Sequence, residues 1–306
     1  MASSGPTHDF PRKPAITRRA GLFFPMVQPP SYSTPATDEL CRAVAKKCKT
    51  VFCAFSRGKD SLCTYLQLHK FFKHENIIPF HCASFPGLRH VKDTLDYYER
   101  VLGTRIVRLC GPELTGCLQR GMYQTLDDID DLVQMDEAEY SMLDRLEYLR
   151  YTFNYPRAWG AFGIMANDSI DRQIYCRKIQ GRNPQNLTFY PCWDWPRAEV
   201  LRAIREAGLK LSGEYRYVNR TMGGPPSKTC NEIFKKHYPE DWNTILGMYP
   251  LAEAKTLREL YLDRIYERRK AQGIVTDETE EEVALEESAA DRMTDIGMAA
   301  DGEVEE

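Results

Sequence analysis

The sequence predicts an α/β fold, a parallel sheet with flanking helices, followed by a helical C-terminal extension. Three observations carry that expectation. Apolar runs of strand length at residues 50–55, 77–83 and 105–109 alternate with helical patterns at 61–72 and 91–102. Strand, helix, strand, helix, strand in so short a stretch is the arrangement of parallel β-strands joined by helical crossovers. The first apolar run also breaks off in a polar cluster, SRGKDS at 56–61, directly ahead of a helical pattern.

Each element has a local reason. Residues 37–47 read as a helix with a Thr cap before an acidic first turn. TVFCAF at 50–55 is a short apolar run suited to a buried strand. In 61–72, Leu62, Tyr65, Leu66 and Leu68 recur near helical spacing, and 77–83 is again strand-like. In 91–102, Val91, Leu95, Tyr98 and Leu102 share one helical face, and RIVRL at 105–109 is a third strand. The middle is different: 125–150 is acidic and helical, with Leu126, Ile129, Leu132 and Val133 periodic. Residues 158–165 lead to a polar cluster at 167–172, 187–191 is a further strand, 197–206 a helix, and 251–270 a long charged helix.

The domain organisation follows. Residues 1–36, rich in Pro, Ser and Thr, form an arm expected to be poorly ordered. The α/β domain spans 37–235 and the helical extension 236–274, and an acidic tail expected to be disordered covers 275–306. There is no internal repeat. At 306 residues and 42% apolar content the chain can bury a sizeable core. No apolar run approaches the roughly 20 residues of a spanning helix, and the N-terminus lacks a secretory apolar segment. The ten cysteines show no CxxC spacing, which argues against a disulfide scaffold and against metal sites built from closely spaced ligands. Reduced thiols in a cytoplasmic protein are expected, with no membrane partner. The net charge of −3 hides a tail, 277–306, with thirteen acidic residues and Arg292, hence −12; the rest carries +9. A basic body suits an anionic ligand, nucleotide or nucleic acid, and equally an unevenly charged solvated surface. Arg12-Lys13 and Arg18-Arg19 in the arm admit the same two readings. The oligomeric state leaves no signature.

The cluster at 56–61 lies where a buried parallel strand hands over to a helix, the end of the sheet at which open α/β proteins bind ligands. Gly58 permits a tight turn, and the helix N-terminus presents unpaired N–H groups and a favourable dipole to an anion. Ser56 and Ser61 add hydroxyls, Arg57 and Lys59 add charge, and Asp60 caps the helix or holds a magnesium ion. The anion fits as phosphate or pyrophosphate. The alternative is an ordinary strand–helix turn with a Ser/Asp cap. The spacing matches neither GxxxxGK[ST] nor GxGxxG.

The segment Ser56-Arg57-Gly58-Lys59-Asp60-Ser61 resembles the SGGxDS loop of the PP-loop, or N-type ATP pyrophosphatase, superfamily, whose fold is adenine nucleotide alpha-hydrolase-like. Within it the chain looks like the phosphoadenosine phosphosulfate (PAPS) reductase family. FPGLRHVKDTLDYYERVLG follows the second strand as that family's loop and helix do. GIMANDSIDR at 163–172 is similar to its G-x-R-x-x-E-S-x-x-R segment, keeping Gly163, Ser169 and Arg172 with Asp168 for Glu. YPCWDWPRAEVLRAI matches through Pro191, Asp194-Trp195 and Glu199-Val200. The resemblance covers roughly residues 45–235. It implies that Ser56, Arg57, Gly58, Lys59, Asp60, Ser61, Asp168, Ser169 and Arg172 bind an adenine nucleotide. It also implies ATP with Mg2+, the ion on Asp60, or PAPS or adenylyl sulfate as substrate. Lys59, Asp60 and Cys230 are the expected catalytic residues. Two positions depart from the pattern: Arg57 stands where the superfamily usually has glycine, and Met165 replaces an arginine. The reductases' Cys-Gly-x-His tail is missing, and so are the paired cysteines of cluster-bearing members, so no iron–sulfur cluster is expected.

The resemblance leaves three readings open. In the first, ATP is cleaved between its α and β phosphates to adenylate an acceptor in nucleic-acid or small-molecule modification, with an amine or sulfur donor to follow. In the second, phosphoadenylyl sulfate or adenylyl sulfate is reduced through Cys230, with thioredoxin as reductant. In the third, a non-catalytic regulatory protein kept the nucleotide cradle. Cys230 lies near Lys228, which would lower a thiol's pKa, or it is a structural cysteine at a helix start. Trp193 and Trp195 stack on a base or fill core. Arg172 and Arg177 face phosphates or solvent. His81 and His90 read as structural, and the acidic residues 127–147 as a solvated face.

Overall fold

The computed structural model describes residues 28–111, 114, 117, 141–222 and 228–273. The arm through residue 27, the acidic segment through 140, the glycine–proline loop 223–227 and the tail from 274 lie outside the described residues. Helix α1 (Pro35–Lys47) begins with a capping box in which Thr34 and Thr37 exchange side-chain and backbone bonds, with Pro35 at the first helical position. It therefore starts two residues before the expected boundary. Strand β1 (Val51–Ala54) leads through the loop 55–58 into α2 (Lys59–Leu68). Strand β2 (Ile77–Ala83) follows, then α3 (Arg89–Leu102), closed by Gly103 in the left-handed region, then β3 (Val107–Cys110). After the undescribed segment come α4 (Met142–Phe153), β4 (Trp159–Ala161) and α5 (Ile170–Ile179). The chain continues with β5 (Arg182–Asn183), β6 (Thr188–Phe189), α6 (Arg197–Glu206), α7 (Lys228–His237), α8 (Pro239–Met248) and α9 (Ala252–Ala271). Strand β4 falls in 158–165 and helix α5 begins inside the polar cluster 167–172, two stretches to which the sequence assigned no element.

The sheet has six strands in the order β3-β2-β1-β4-β6-β5. All neighbouring pairs are parallel except β5 with β6. The expected α/β class, a mostly parallel sheet with flanking helices, is therefore the observed one. From β1 the chain moves outward through β2 and β3, then returns to place β4 on the other side of β1. The gap beyond the carboxyl ends of β1 and β4 is thus the topological switch point, the position at which open α/β sheets bind ligands.

Alternation along the central strands splits the core. Phe52, Ile78 and Phe80 pack with Leu146, Leu149 and Phe153 of α4 on one face. Val51, Cys53 and Ile77 join the larger core that includes Leu62, Tyr65, Val91, Leu95 and Tyr98. In α3 the buried residues are Val91, Leu95, Tyr98 and Leu102, the stripe its periodicity implies. Cys41, Cys53, Cys63 and Cys192 are buried as small apolar side chains, and burial pushes the Cys41 and Cys53 thiols up. Trp195 is fully buried and donates from its ring N–H to Thr37 Oγ1 (3.2 Å), so it is core and not a stacking platform.

The chain divides into two compact units, Met1–Ala252 and Glu253–Glu306. The whole sheet belongs to the first. The second holds α9 from Glu253 on, with Leu257, Leu260, Tyr261 and Leu262 exposed. Among the described residues no helix is long and apolar enough to cross a membrane.

Candidate functional site

Strand β1 is prolonged by one bond, Phe55 N–H to Phe80 O (2.7 Å). The Phe55 carbonyl faces Nδ1 of His81 on β2 at 2.8 Å. That carbonyl can only accept, so Nδ1 carries the proton. With the strand end pinned, the loop turns at Arg57, whose φ of 69° lies in the left-handed region. This conformation costs a residue with a Cβ about 1–2 kcal/mol, and glycine would adopt it freely.

The strain is offset by where the side chain goes. The Arg57 guanidinium turns into the protein and is 2% exposed, as is fitting for an ion pair with Glu214, itself fully buried. Nη1 reaches the two Glu214 oxygens at 3.2 and 3.1 Å, and Nη2 donates to Met222 O at 3.1 Å. Glu214 Oε1 also accepts from Met222 N–H (3.1 Å) and faces His90 Nε2 (3.0 Å). On the other side of the ring, His90 Nδ1 faces Asp241 Oδ2 at 2.6 Å. Asp241, on α8, accepts as well from the backbone amides of Arg89 and His90 at the start of α3 (2.5 and 3.0 Å). Carboxylates only accept, so His90 donates from both nitrogens and carries a positive charge in this geometry. Arg57 and His90 against Glu214 and Asp241 make a buried, charge-balanced quartet. Burial alone would raise the Glu214 carboxyl, but His90 and Arg57 outweigh it and hold it at about 2.

Within the loop, Gly58 N–H donates to Ser56 Oγ (3.4 Å), Ser56 Oγ to Ser61 Oγ (3.2 Å), and Ser61 Oγ to Gly58 O (2.9 Å). The Lys59 amide donates to the Tyr215 hydroxyl at 3.0 Å. The amides of Asp60 and Ser61 sit in the first turn of α2, where helix geometry supplies no acceptor. The chain leaving β4 passes closely here. A Cβ on Gly163 would stand 2.8 Å from Ser61 N and from Asp60 C, so its missing side chain keeps that space clear. Beside the loop a cleft of about 250 Å³ is lined by Ser56, Arg57, His81, Ser84, Met142 and Thr221 at the carboxyl ends of β1 and β2.

The predicted residues fall into three groups. Ser56, Gly58, Lys59, Asp60 and Ser61 form the loop and first helical turn, and Lys59 Nζ donates to both Asp60 oxygens (2.8 and 2.6 Å). Burial raises the Asp60 carboxyl, with Lys59 acting against it, Asp168 adding to it and Arg172 opposing. Asp168 and Arg172 are thus close enough to act on Asp60. They pair with each other at 3.0 Å, and Ser169 caps α5 by accepting from Arg172 N–H (3.2 Å). Arg57 stands in the loop, but its cation faces Glu214. Cys230, in the first turn of α7, is half-buried and packs against the core. His90, read as structural, is a hub of the ion network. Glu214, Tyr215 and Asp241 escaped sequence reasoning; the only signal was the tyrosine-rich stretch 215–217.

The titrations set a pH dependence. Burial, helped by Arg57, lowers His81 to about 4, and burial lowers His69 to about 4. A histidine kept neutral by the fold contributes stability above its ordinary value of 6.5, and this is lost as pH falls through about 4. Glu214, ordinarily 4.5 and held at about 2, adds a loss over that lower window. Denaturant titrations are therefore expected to show stability falling from pH 6.5 to about 4 and further toward 2. A flat profile across the first window would contradict the neutral, buried histidines.

No protein-family model and no curated protein matches the chain. Among solved structures, the U34-tRNA thiolase NcsA from Methanococcus maripaludis with its 4Fe-4S cluster is similar at 17% identity, over 71% of this chain and 78% of that one, with a TM-score of 0.36. An NH3-dependent NAD synthetase from Campylobacter jejuni subsp. jejuni NCTC 11168, in complex with nitrate, is similar at 10% identity, over 74% and 94%, with a TM-score of 0.38. The first of these corrects one expectation. A structure similar to this chain carries an iron–sulfur cluster and this chain has ten cysteines, so the exclusion of such a cluster is withdrawn. The exclusion rested on spacing in sequence, and folding overrides spacing: Cys63 Sγ and Cys192 Sγ, 129 residues apart, lie 3.8 Å from each other.

Proposed function

We propose that the chain binds ATP by its phosphates at the loop 56–61 and cleaves it between the α and β phosphates to adenylate an acceptor. One observation carries the reading. At the switch point of the sheet, the first turn of α2, whose leading amides have no acceptor within the helix, starts at the carboxyl end of β1 and packs so closely on Gly163 that a Cβ there would stand 2.8 Å from Ser61 N. The resemblance of Ser56–Ser61 to the PP-loop supports it. An acceptor oxygen attacks the α-phosphorus, the bond to the bridging oxygen breaks, and pyrophosphate leaves with the electron pair. An amine or sulfur donor can then displace AMP. The amides and the Ser56 and Ser61 hydroxyls would stabilise charge growing on pyrophosphate from fixed positions. Lys59 supplies a cation beside them. Asp60, whose oxygens suit a hard cation once released from Lys59, would hold a magnesium ion, which would neutralise phosphate charge. Asp168, Ser169 and Arg172 would add contacts on the Asp60 side, and the adenosine would enter the adjacent cleft. The acceptor class is a nucleic acid or a small molecule.

Calorimetry with ATP, paired with pyrophosphate release in the presence of candidate acceptors, tests this. A Gly58→Val variant places bulk within 3.3–3.4 Å of Ser56 Oγ and Tyr215 OH and is expected to lose ATP uptake. ATP uptake without pyrophosphate release, whatever the acceptor, would point to a regulatory nucleotide-binding protein instead. Because Cys230 packs against the core, Cys230→Ser is expected to leave ATP affinity unchanged. Release of sulfite from labelled adenylyl sulfate, abolished by that variant, would restore the reductase reading.

A further inference from the structure

The short helical turn Gly213–Arg216 grips the loop twice: Glu214 takes the Arg57 side chain, and the Tyr215 hydroxyl takes the Lys59 amide. We infer that Glu214 is a positioning residue, which holds Arg57 in its left-handed conformation and thereby aims the amides of the loop 56–61 at their anion. This deepens the proposed function and rests on it for the identity of that anion. Three observations converge. Arg57 is a non-glycine residue at φ 69° at the centre of the loop. Its guanidinium is buried and committed to Glu214 and Met222 O, and so acts as a tether instead of a phosphate ligand. Glu214 is itself fixed through His90 to Asp241, which binds the first amides of α3, so α3 and α8 anchor the tether. The tether does here what a glycine would do without help: it makes a positive φ the resting state of position 57.

That equivalence gives the test. Glu214→Gln removes one charge from the quartet and loosens Arg57. A roughly tenfold loss of ATP affinity by calorimetry is expected, equivalent to about 1.4 kcal/mol. Arg57→Gly added to Glu214→Gln removes one charge of each sign, keeps His90 balanced by Asp241, and gives position 57 a residue that needs no tether. Affinity is expected to return toward that of the unaltered protein. Arg57→Met added to Glu214→Gln balances charge equally well but keeps a Cβ at positive φ. It is expected to recover thermal stability and not affinity. Equal recovery of affinity in both double variants would overturn the positioning role and leave only charge balance. The same would follow if Glu214→Gln bound ATP normally. Hydrogen exchange of a peptide spanning the loop separates this inference from the reading beneath it. Exchange is expected to quicken in Glu214→Gln and to stay unchanged in Leu149→Ala, a core variant on the opposite face of the sheet. Should the unaltered protein take up no ATP, the proposed function falls while this exchange comparison still decides the tether; unchanged exchange in Glu214→Gln would refute it.

Discussion

Glu214→Ala is expected to destabilise the protein by roughly 3–5 kcal/mol, the cost of breaking a buried ion pair from one side. The carboxylate is fully buried, accepts from Met222 N–H, and separates two cations, Arg57 and His90. Alanine would leave both cations in a dry interior with Asp241 as the remaining anion of the quartet. Denaturant unfolding of the two proteins at one pH measures this. A difference below about 1 kcal/mol, the level of an exposed pair, would show that the quartet is hydrated and would remove the tether argument with it.

The second large effect concerns Gly163. Gly163→Ala is expected to cost about 1–3 kcal/mol, typical of overpacking, and to weaken ATP binding by shifting the first turn of α2. The new Cβ would meet backbone at Asp60 and Ser61, 2.8 Å away, and backbone cannot swing aside as a side chain can. Gly160 is the useful comparison. A Cβ there would stand 2.6 Å from Leu146 Cδ2, the far end of a flexible side chain on the face away from α2. Gly160→Ala is therefore expected to perturb the α4 packing and spare the loop. Unaltered ATP affinity in Gly163→Ala, measured beside Gly160→Ala, would remove the cradle from the site.

These two residues show how departure and match at a motif acquire physical meaning. Arg57, in place of a glycine, looks at the level of sequence like an added phosphate ligand. Its neighbours on the loop say nothing of Glu214, 157 residues away. Gly163 is legible as a motif position, yet the reason it must lack a side chain is the passage of β4's exit against α2. The cysteines show the same in reverse, since their spacing along the chain does not fix their spacing in the fold.

By itself the sequence determined the parallel α/β class, the buried stripe of α3, helix α6 at its observed limits, and the strand–loop–helix that opens the candidate site. Periodicity and local capping are properties of neighbouring residues, so they are written in the order of the chain. Only the tertiary structure decided the placement of β4 beside β1, the direction in which Arg57 points, the charge on His90 and the grip of Glu214 and Tyr215 on the loop. Each depends on burying charges and amides from distant segments against one another, and the energy of that burial exists only once the chain has closed around them.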